Sequence, residues 1–71
     1  MSNIVDARGL SCPQPVLLTL NEIKKINKGE IVILVDTDTS QENVSRAATL
    51  QGWQVEVKKE DEDYRLILTK D

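Results

Sequence analysis

The chain has 71 residues, with 12 acidic and 9 basic side chains, a formal net charge of −3, one cysteine and no histidine. A net acidic chain disfavours general binding to nucleic acid or to a membrane surface, since both need a cationic footprint. The lack of histidine excludes imidazole zinc sites, Cys–His pairs and Ser–His–Asp triads, and a single cysteine excludes an internal disulfide. Whatever reactive chemistry exists is therefore expected to fall on that one thiol, or there is none.

The length predicts a single domain over residues 1–71, near the lower limit at which one hydrophobic core suffices. Phenylalanine is absent, so the core must be mainly aliphatic. No apolar run approaches the roughly 20 residues of a membrane span, and the N-terminus lacks the basic and apolar segments of a signal peptide. We therefore expect a cytoplasmic protein whose thiol stays reduced.

The first predicted elements are a short strand over residues 4–6 and an amphipathic helix. Apolar side chains recur at helical spacing, and they are Val16, Leu17, Leu20, Ile23 and Ile26. Thr19 is placed on the opposite, polar face. The basic side chains at the end of the helix, Lys24, Lys25 and Lys28, suit the negative end of its dipole, and Gly29 is expected to end it.

A central strand and a second helix follow. Residues 31–35 form an unbroken β-branched and aliphatic run, which is typical of a buried strand. The polar turn 36–40 then leads into a helix predicted over 41–51. Ser40 is the expected N-cap of that helix, and Gly52 is expected to end it.

Two further strands complete the predicted fold. Residues 53–59 alternate, with Val55 and Val57 facing inward, and the acidic run 60–63 connects them to a last strand over 64–69. The order is thus β-α-β-α-β-β. Right-handed crossovers place both helices on one face of the sheet and leave the other face partly open.

The loop before the first helix contains the pattern Cys12-Pro13-x-Pro15. Pro13 disfavours helical geometry for Cys12, which makes Cys12 an N-cap candidate with Pro13 at the first helical position. Pro15 also falls in the first turn, but it restricts Gln14, so the helix could start two residues later. A capping box from Ser11 to Gln14 is a further alternative.

A thiol at a helix N-terminus is favoured as thiolate by the dipole and by nearby amide donors. Arg8, four residues before Cys12, could add to this effect. The plainer interpretation is that Cys12 is a buried core residue, because free cysteine is among the most buried residue types. The loop position and the flanking prolines favour a functional thiol.

Other candidate features have plainer interpretations. Asp36 and Asp38 fit turn and capping duty better than a cation loop, because the EF-hand pattern is missing. The lysines at the helix end fit a solvated face better than a docking patch for an acidic partner, and the run 60–63 fits a solvated hairpin. Trp53 fits the edge of the core better than a partner-binding anchor.

The pattern D-x-x-G-x-x-C-P-x-P runs through Asp6, Gly9, Cys12, Pro13 and Pro15. With these residues the chain resembles the TusA/SirA/YedF family of small sulfur-carrier proteins over essentially its whole length. The resemblance implies an α+β fold: a two-layer sandwich with a mixed four-stranded sheet and two helices on one face. This fold is similar to the C-terminal domain of translation initiation factor three.

The resemblance also implies a function. Cys12 would accept sulfur as a persulfide from a cysteine desulfurase or a rhodanese-like donor and pass it to a DsrE-like protein or a tRNA-thiolation component. Pro13 and Pro15 would shape the loop, while Gly9 and Leu10 would permit approach to a partner. Such a relay needs no cofactor, metal or second cysteine. We expect a monomer that works through protein partners, without direct contact to nucleic acid or membrane.

Some residues depart from the family pattern. Close relatives of TusA carry Asp-Asp-Pro after the second strand, where this chain has Asp36-Thr37-Asp38-Thr39. The segment 52–57 is more like the N-terminal domain of YedF-type proteins, for which a link to selenium metabolism has been proposed. The alternatives to a sulfur carrier are a non-catalytic interaction or regulatory module, using the open sheet face or the basic helix end, and a thiol redox sensor.

Overall fold

The computed structural model describes residues 3–10 and 13–71. Cys12 and Ser11 lie outside the described residues, and so do the two expectations that Cys12 caps the first helix and that Ser11 forms a capping box. The elements in chain order are β1 (Asn3–Asp6), α1 (Gln14–Ile26), β2 (Gly29–Val35), α2 (Asp38–Leu50), β3 (Gln54–Glu60) and β4 (Asp63–Lys70). The predicted order β-α-β-α-β-β is confirmed.

The four strands form one mixed sheet in the order β1-β2-β4-β3, in which β1 and β2 are parallel and the other pairs are antiparallel. Alternate side chains of the two central strands point towards the helices. The fully buried ones are Ile31, Ile33, Val35, Leu66 and Leu68. Together with Ile23 from α1 and with Val44 and Ala48 from α2, they form an aliphatic core, as the absence of phenylalanine predicts.

The other face of the sheet carries no helix. The register aligns Ile4 with Val32 and Val32 with Ile67 across three strands. Ile4 is 68% exposed, while Val32 and Ile67 are half-buried. This face is therefore partly open, as the right-handed crossovers predict.

The start of α1 differs from the prediction by one residue. Pro13 is the N-cap, with φ −99° and ψ 13°, and its carbonyl accepts the Leu17 N–H at 3.0 Å. Pro13 is therefore not the first helical residue, a position that Gln14 takes, and Pro15 is the second. Both prolines still lie where a missing N–H removes no intrahelical hydrogen bond.

The buried face of α1 is also rotated from the predicted one. Its buried residues are Pro15, Thr19 and Ile23, which are spaced four residues apart. Thr19 can be fully buried because its hydroxyl donates to the Pro15 carbonyl at 2.9 Å. The placement of Thr19 on the polar face is thus wrong, and Leu17, predicted to face inward, is 52% exposed.

Asn27, not Gly29, ends α1. Asn27 adopts a left-handed conformation with φ 63° and donates its N–H to the Ile23 carbonyl at 2.9 Å. Asparagine tolerates this conformation better than most residues, so it can take the role that glycine usually has. Gly29 is already the first residue of β2.

The N-cap of α2 is Thr37, three residues before the predicted cap. Thr37 is extended, and its hydroxyl accepts the Ser40 N–H at 3.1 Å. Extended geometry at the cap presents the side-chain oxygen to the amide of the third helical residue. Ser40 itself is buried inside the helix, so the prediction of Ser40 as the cap is wrong.

The β3–β4 hairpin is tighter than the four-residue connection predicted. Glu60 pairs with Asp63, so the loop is Asp61 and Glu62 alone. Val57 is paired with Leu66 on the helix-covered face, yet it is 40% exposed because β3 is an edge strand. Trp53, just before β3, is 3% exposed and belongs to the core.

Candidate functional site

The β1–α1 loop, residues 7–13, leaves the sheet at the edge where β2 ends and β4 begins. Ala7 extends the parallel ladder beyond β1 by donating its N–H to the Leu34 carbonyl at 2.8 Å. Val35, the last residue of β2, is paired with Tyr64 near the start of β4. We call this side of the molecule the loop end. Both helices also begin there, because each follows a strand that finishes at this edge.

A long-range hydrogen bond holds the loop to the turn after β2. The Gly9 N–H donates to the Asp36 carboxylate at 2.9 Å. Gly9 has φ +78°, a conformation that L side chains rarely adopt, while a Cβ at this position would meet only open space. The need for glycine is thus conformational. Asp36 acts as an anchor for the loop, a role beyond the turn duty predicted for it.

A second anchor is the side chain of Arg8. Its guanidinium donates to both carboxylate oxygens of Asp6, at 2.9 Å each, and to Asp63 at 3.2 Å. The Arg8 N–H also donates to Asp6, at 3.1 Å. Since β2 lies between β1 and β4, Arg8 crosses the end of β2 and ties the loop to the strand beyond it.

This cluster has consequences for the charges of its members. The hydrogen bonds from Arg8 lower the pKa of the Asp6 carboxyl from 3.8 to about 2, and those to Asp6 and Asp63 raise the pKa of Arg8 above its ordinary value. One cation and two carboxylates carry a net charge of −1. This arrangement favours a positioning role for Arg8 over the predicted role of adding positive charge for a thiolate.

The pKa of Asp6 provides a test of this anchor. A carboxyl group with a lowered folded pKa stabilises the fold above its unfolded pKa, and this contribution is lost as the pH falls through the folded pKa. We expect the Asp6 carboxyl carbon resonance in an NMR titration to report a pKa of about 2 instead of 3.8. The ion pair between Asp6 and Arg8 should weaken between about pH 4 and pH 2. In an Arg8→Met variant the pKa of Asp6 should return towards 3.8, and an unchanged value would contradict the pairing.

A third contact joins β4 to α2. The Tyr64 hydroxyl donates to the carboxylate of Asp38 in the first turn of α2. This hydrogen bond raises the pKa of Tyr64. The ammonium group of Lys59 lies 5.6 Å from the centre of the Tyr64 ring. Two consecutive residues at the start of β4 thus make long-range contacts: Asp63 binds the loop through Arg8, and Tyr64 binds α2 through Asp38.

The start of α1 supplies an electropositive group at the loop end. The amides of Gln14 and Val16 have no intrahelical acceptor because of their positions, and Pro15 has no amide hydrogen. The first turn contains no acidic residue that would offset the dipole. The helix start directly follows Cys12 in the sequence, and the site of Cys12 itself lies outside the described residues.

The structure thus assigns a position to each other predicted site residue. Arg8 and Gly9 are anchored, Leu10 is half-buried against the core, Pro13 is an exposed cap and Pro15 is buried. The roles of Asp36, Asp6 and Asp63 as anchors are not among the sequence-based predictions. The two-residue spacing from Asp6 to Arg8 is typical of an Asx turn and could have indicated that contact. No local signal joins Asp36 to Gly9, which are 27 residues apart.

The Asp36 anchor can be tested by amide hydrogen exchange. A net loss of about 1 kcal/mol for one hydrogen bond corresponds to roughly fivefold faster exchange. We therefore expect Asp36→Ala to accelerate exchange of the Gly9 amide by about this factor. Asp36→Asn retains an acceptor oxygen and serves as the matched control, with a smaller effect expected. Equal exchange in wild type and Asp36→Ala would contradict the anchor.

Two general features complete the description. Within residues 3–10 and 13–71, no helix has both the length and the apolar character needed to cross a membrane. The same described ranges contain no group of three or more Cys, Asp or Glu side chains that could hold a metal ion.

Known proteins are similar to this chain in sequence and in fold. Residues 3–70 match the family model described as "Sulfurtransferase TusA". A protein of Archaeoglobus fulgidus named "Putative sulfur carrier protein" is 33% identical over 94% of each chain. A protein of the same description from Methanocaldococcus jannaschii is 32% identical over 93% of this chain and 91% of its own.

The match to another relative covers only part of that protein. In Aquifex aeolicus, a protein with the same description is 32% identical over 89% of this chain. The aligned region covers only 32% of the length of that longer relative. Among solved structures, the crystal structure of a SirA-like protein from Desulfitobacterium hafniense superimposes with a TM-score of 0.88. That alignment covers 97% of this chain and 96% of the other, at 28% identity.

Proposed function

The chain belongs to the TusA sulfurtransferase family, and on this premise we propose that it carries sulfur as a persulfide on Cys12. The observation that supports this most directly is the match over residues 3–70 in a chain with a single cysteine. A sulfur carrier needs a nucleophilic sulfur atom, and Cys12 is the one thiol in the sequence. The proposed role is therefore assigned by residue type and family together.

The proposed transfer is a sulfur exchange between thiols. The Cys12 thiolate attacks the terminal sulfur of a persulfide on a donor protein. A sulfur–sulfur bond forms on Cys12, the bond in the donor breaks, and the donor leaves as a thiolate with the electron pair. An acceptor thiolate later attacks the terminal sulfur on Cys12 in the same manner. No external oxidant or reductant is consumed, and no metal is needed.

The described part of the site supports such a relay. The start of α1 favours an anion at the loop end, and Asp36 and Arg8 tie the loop on the side that precedes Cys12. Proteins would act as donor and acceptor, with a cysteine desulfurase or rhodanese-like protein as donor and a DsrE-like or tRNA-thiolation protein as acceptor. The chemistry needs a reduced thiol, and we place it in the cytoplasm.

The test is a measurement of intact mass. The protein is incubated with a cysteine desulfurase and free cysteine, and its mass is then compared with that of untreated protein. We expect a gain of one sulfur atom that a reducing agent such as dithiothreitol removes. A protein that gains no sulfur from a desulfurase or a rhodanese, and whose thiol resists alkylation at neutral pH, would overturn the proposal.

A further inference from the structure

An apolar groove lies at the start of α1. It is a surface depression of about 270 Å³ lined by Leu10, Gln14, Leu17 and Leu18. Leu10 comes two residues before Cys12 in the sequence, and Gln14 comes two residues after it. Two of the four lining residues therefore flank, in the sequence, the cysteine proposed to carry sulfur. We refer to these four residues as the loop groove.

Leu17 is an apolar residue on an exposed face of α1 that is otherwise polar. It shares the exposed face of α1 with Gln14, Asn21 and Lys24, which are three, four and seven residues away. Those neighbours are polar, whereas Leu17 is apolar and 52% exposed. A single exposed leucine needs no explanation, but here Leu10 and Leu18 extend it into a continuous apolar surface. The loop groove is thus an apolar surface without a partner inside the described part of the chain.

The charge of the protein is concentrated at the loop end. Acidic side chains there are Asp6, Asp36, Asp38 and the run 60–63, and basic ones are Arg8, Lys58, Lys59 and Arg65. Seven acids and four bases give −3, which equals the formal net charge of the whole chain. The remaining five acids and five bases cancel. A partner that approaches the loop end therefore meets a negative field.

From these two observations we propose that the loop groove receives an apolar side chain of the protein that exchanges sulfur with Cys12, and that this partner surrounds the side chain with basic residues. The proposal rests on the proposed function of Cys12. A second copy of this chain is disfavoured as the occupant, since a symmetric dimer would bring two ends of charge −3 together. The groove would select partners by shape, and the negative charge of the loop end would attract them and set their orientation.

The test uses short synthetic peptides as probes, so that it needs no identified partner. Each peptide contains one cysteine, activated as a mixed disulfide with thionitrobenzoate. The Cys12 thiolate attacks the peptide sulfur, a Cys12–peptide disulfide forms, and thionitrobenzoate leaves with the electron pair as a coloured anion. The three peptides have the sequences Lys-Leu-Cys-Leu-Lys, Glu-Leu-Cys-Leu-Glu and Lys-Ser-Cys-Ser-Lys. The second changes only the charge, and the third changes only the apolar contact.

We expect the Lys-Leu peptide to react fastest. Replacing lysine by glutamate should slow the reaction by about tenfold at low ionic strength, and the difference should shrink in high salt. Replacing leucine by serine should slow it by roughly threefold to tenfold. The preference for leucine should disappear in Leu17→Ser. Each rate is divided by the alkylation rate of the same protein with iodoacetamide, which removes any general change in thiol reactivity.

Leu50→Ser is the matched control. Leu50 is also an exposed helical leucine, at 78%, but it lies at the C-terminal end of α2, away from the loop end. This variant should keep the full preference for leucine and for lysine. The proposal is overturned if the three peptides react equally in wild type, or if Leu17→Ser retains the leucine preference. Equal loss in Leu50→Ser would also overturn it.

Two further measurements distinguish this proposal from dimer formation and from the sulfur-carrier function itself. Sedimentation of the wild type should show a monomer, and a dimer that Leu17→Ser dissociates would assign the groove to a second copy and overturn the proposal. Sulfur loading from a desulfurase is measured separately by mass. Loading without any peptide preference overturns the groove alone. Peptide preference without loading overturns the sulfur-carrier function while the groove remains a docking site.

Discussion

Cys12→Ser is expected to abolish sulfur loading completely. The substitution exchanges one sulfur atom for one oxygen, and a serine hydroxyl is not a nucleophile without an adjacent base. Since the chain has no second cysteine and no histidine, no other thiol can replace Cys12 and no imidazole can activate a serine at this position. After incubation with a desulfurase and cysteine, the variant should show no gain of one sulfur in its intact mass. The wild type, treated in parallel, should show it.

The same variant separates the sulfur carrier from the alternatives. A non-catalytic interaction module predicts that Cys12→Ser keeps both partner binding and biological effect, because the open sheet face and the basic helix end are unchanged. A redox sensor predicts that oxidation of Cys12 changes partner affinity in the wild type only. Circular dichroism is the control for folding, and Cys12→Ala is the second variant. Sulfur gain by Cys12→Ser would contradict the assignment of the carrier thiol.

Ile33→Ala is expected to destabilise the protein strongly. Ile33 is fully buried on central strand β2, directly opposite Leu66. Truncation of a buried isoleucine costs about 2–5 kcal/mol, because apolar contacts are lost and a cavity remains. At roughly 0.05–0.15 kcal/mol per residue, a chain of this length has a free energy of unfolding of about 4–11 kcal/mol. The variant should therefore keep only a small free energy of unfolding. A urea titration would show this as a lower midpoint concentration of urea.

Val57→Ala is the control for Ile33→Ala, because both residues lie beside Leu66 in the sheet. Val57 lies on the other side of Leu66, on the same face, but on edge strand β3, where it is 40% exposed. We expect a cost below about 1 kcal/mol, because the site is already partly solvated and leaves no closed cavity. A cost equal to that of Ile33→Ala would contradict the placement of the core beneath the helices. The m-value should stay unchanged in both variants.

The strands and helices were largely predictable because their signals are local. The β-branched run 31–35 predicted the central strand, which the structure extends back to Gly29. Errors arose where two local signals competed. Ser40 and Thr37 are both residue types that favour the N-cap position. In the structure Thr37 is the N-cap, and Ser40 is buried in the first turn of the helix. Thr19 is polar by composition, yet a hydrogen bond to Pro15 allowed it into the core.

The candidate site was predictable only in part, for a related reason. Cys12 and its prolines are recognisable from a contiguous motif, and the motif also indicates that a helix starts there. The anchors are different, because Asp36 meets Gly9 and Asp63 meets Arg8 only after the sheet has formed. The acidic run 60–63 was predicted to form a solvated hairpin. Two of them form ion pairs, Asp63 with Arg8 and Glu60 with Arg65.

Through the family resemblance the sequence indicated the fold class, and by itself it determined the order of elements and the identity of the one thiol, Cys12. The last two follow from periodicity and residue type, which act over short stretches of chain. Only the tertiary structure decided that Asp36 and Arg8 anchor the loop, that Leu17 faces solvent beside it and that the negative charge gathers at one end. The physical reason is that the sheet order β1-β2-β4-β3 brings strand ends together that lie far apart in sequence. Long-range hydrogen bonds, surface grooves and the summed charge of one end depend on that proximity. Local sequence patterns do not predict it.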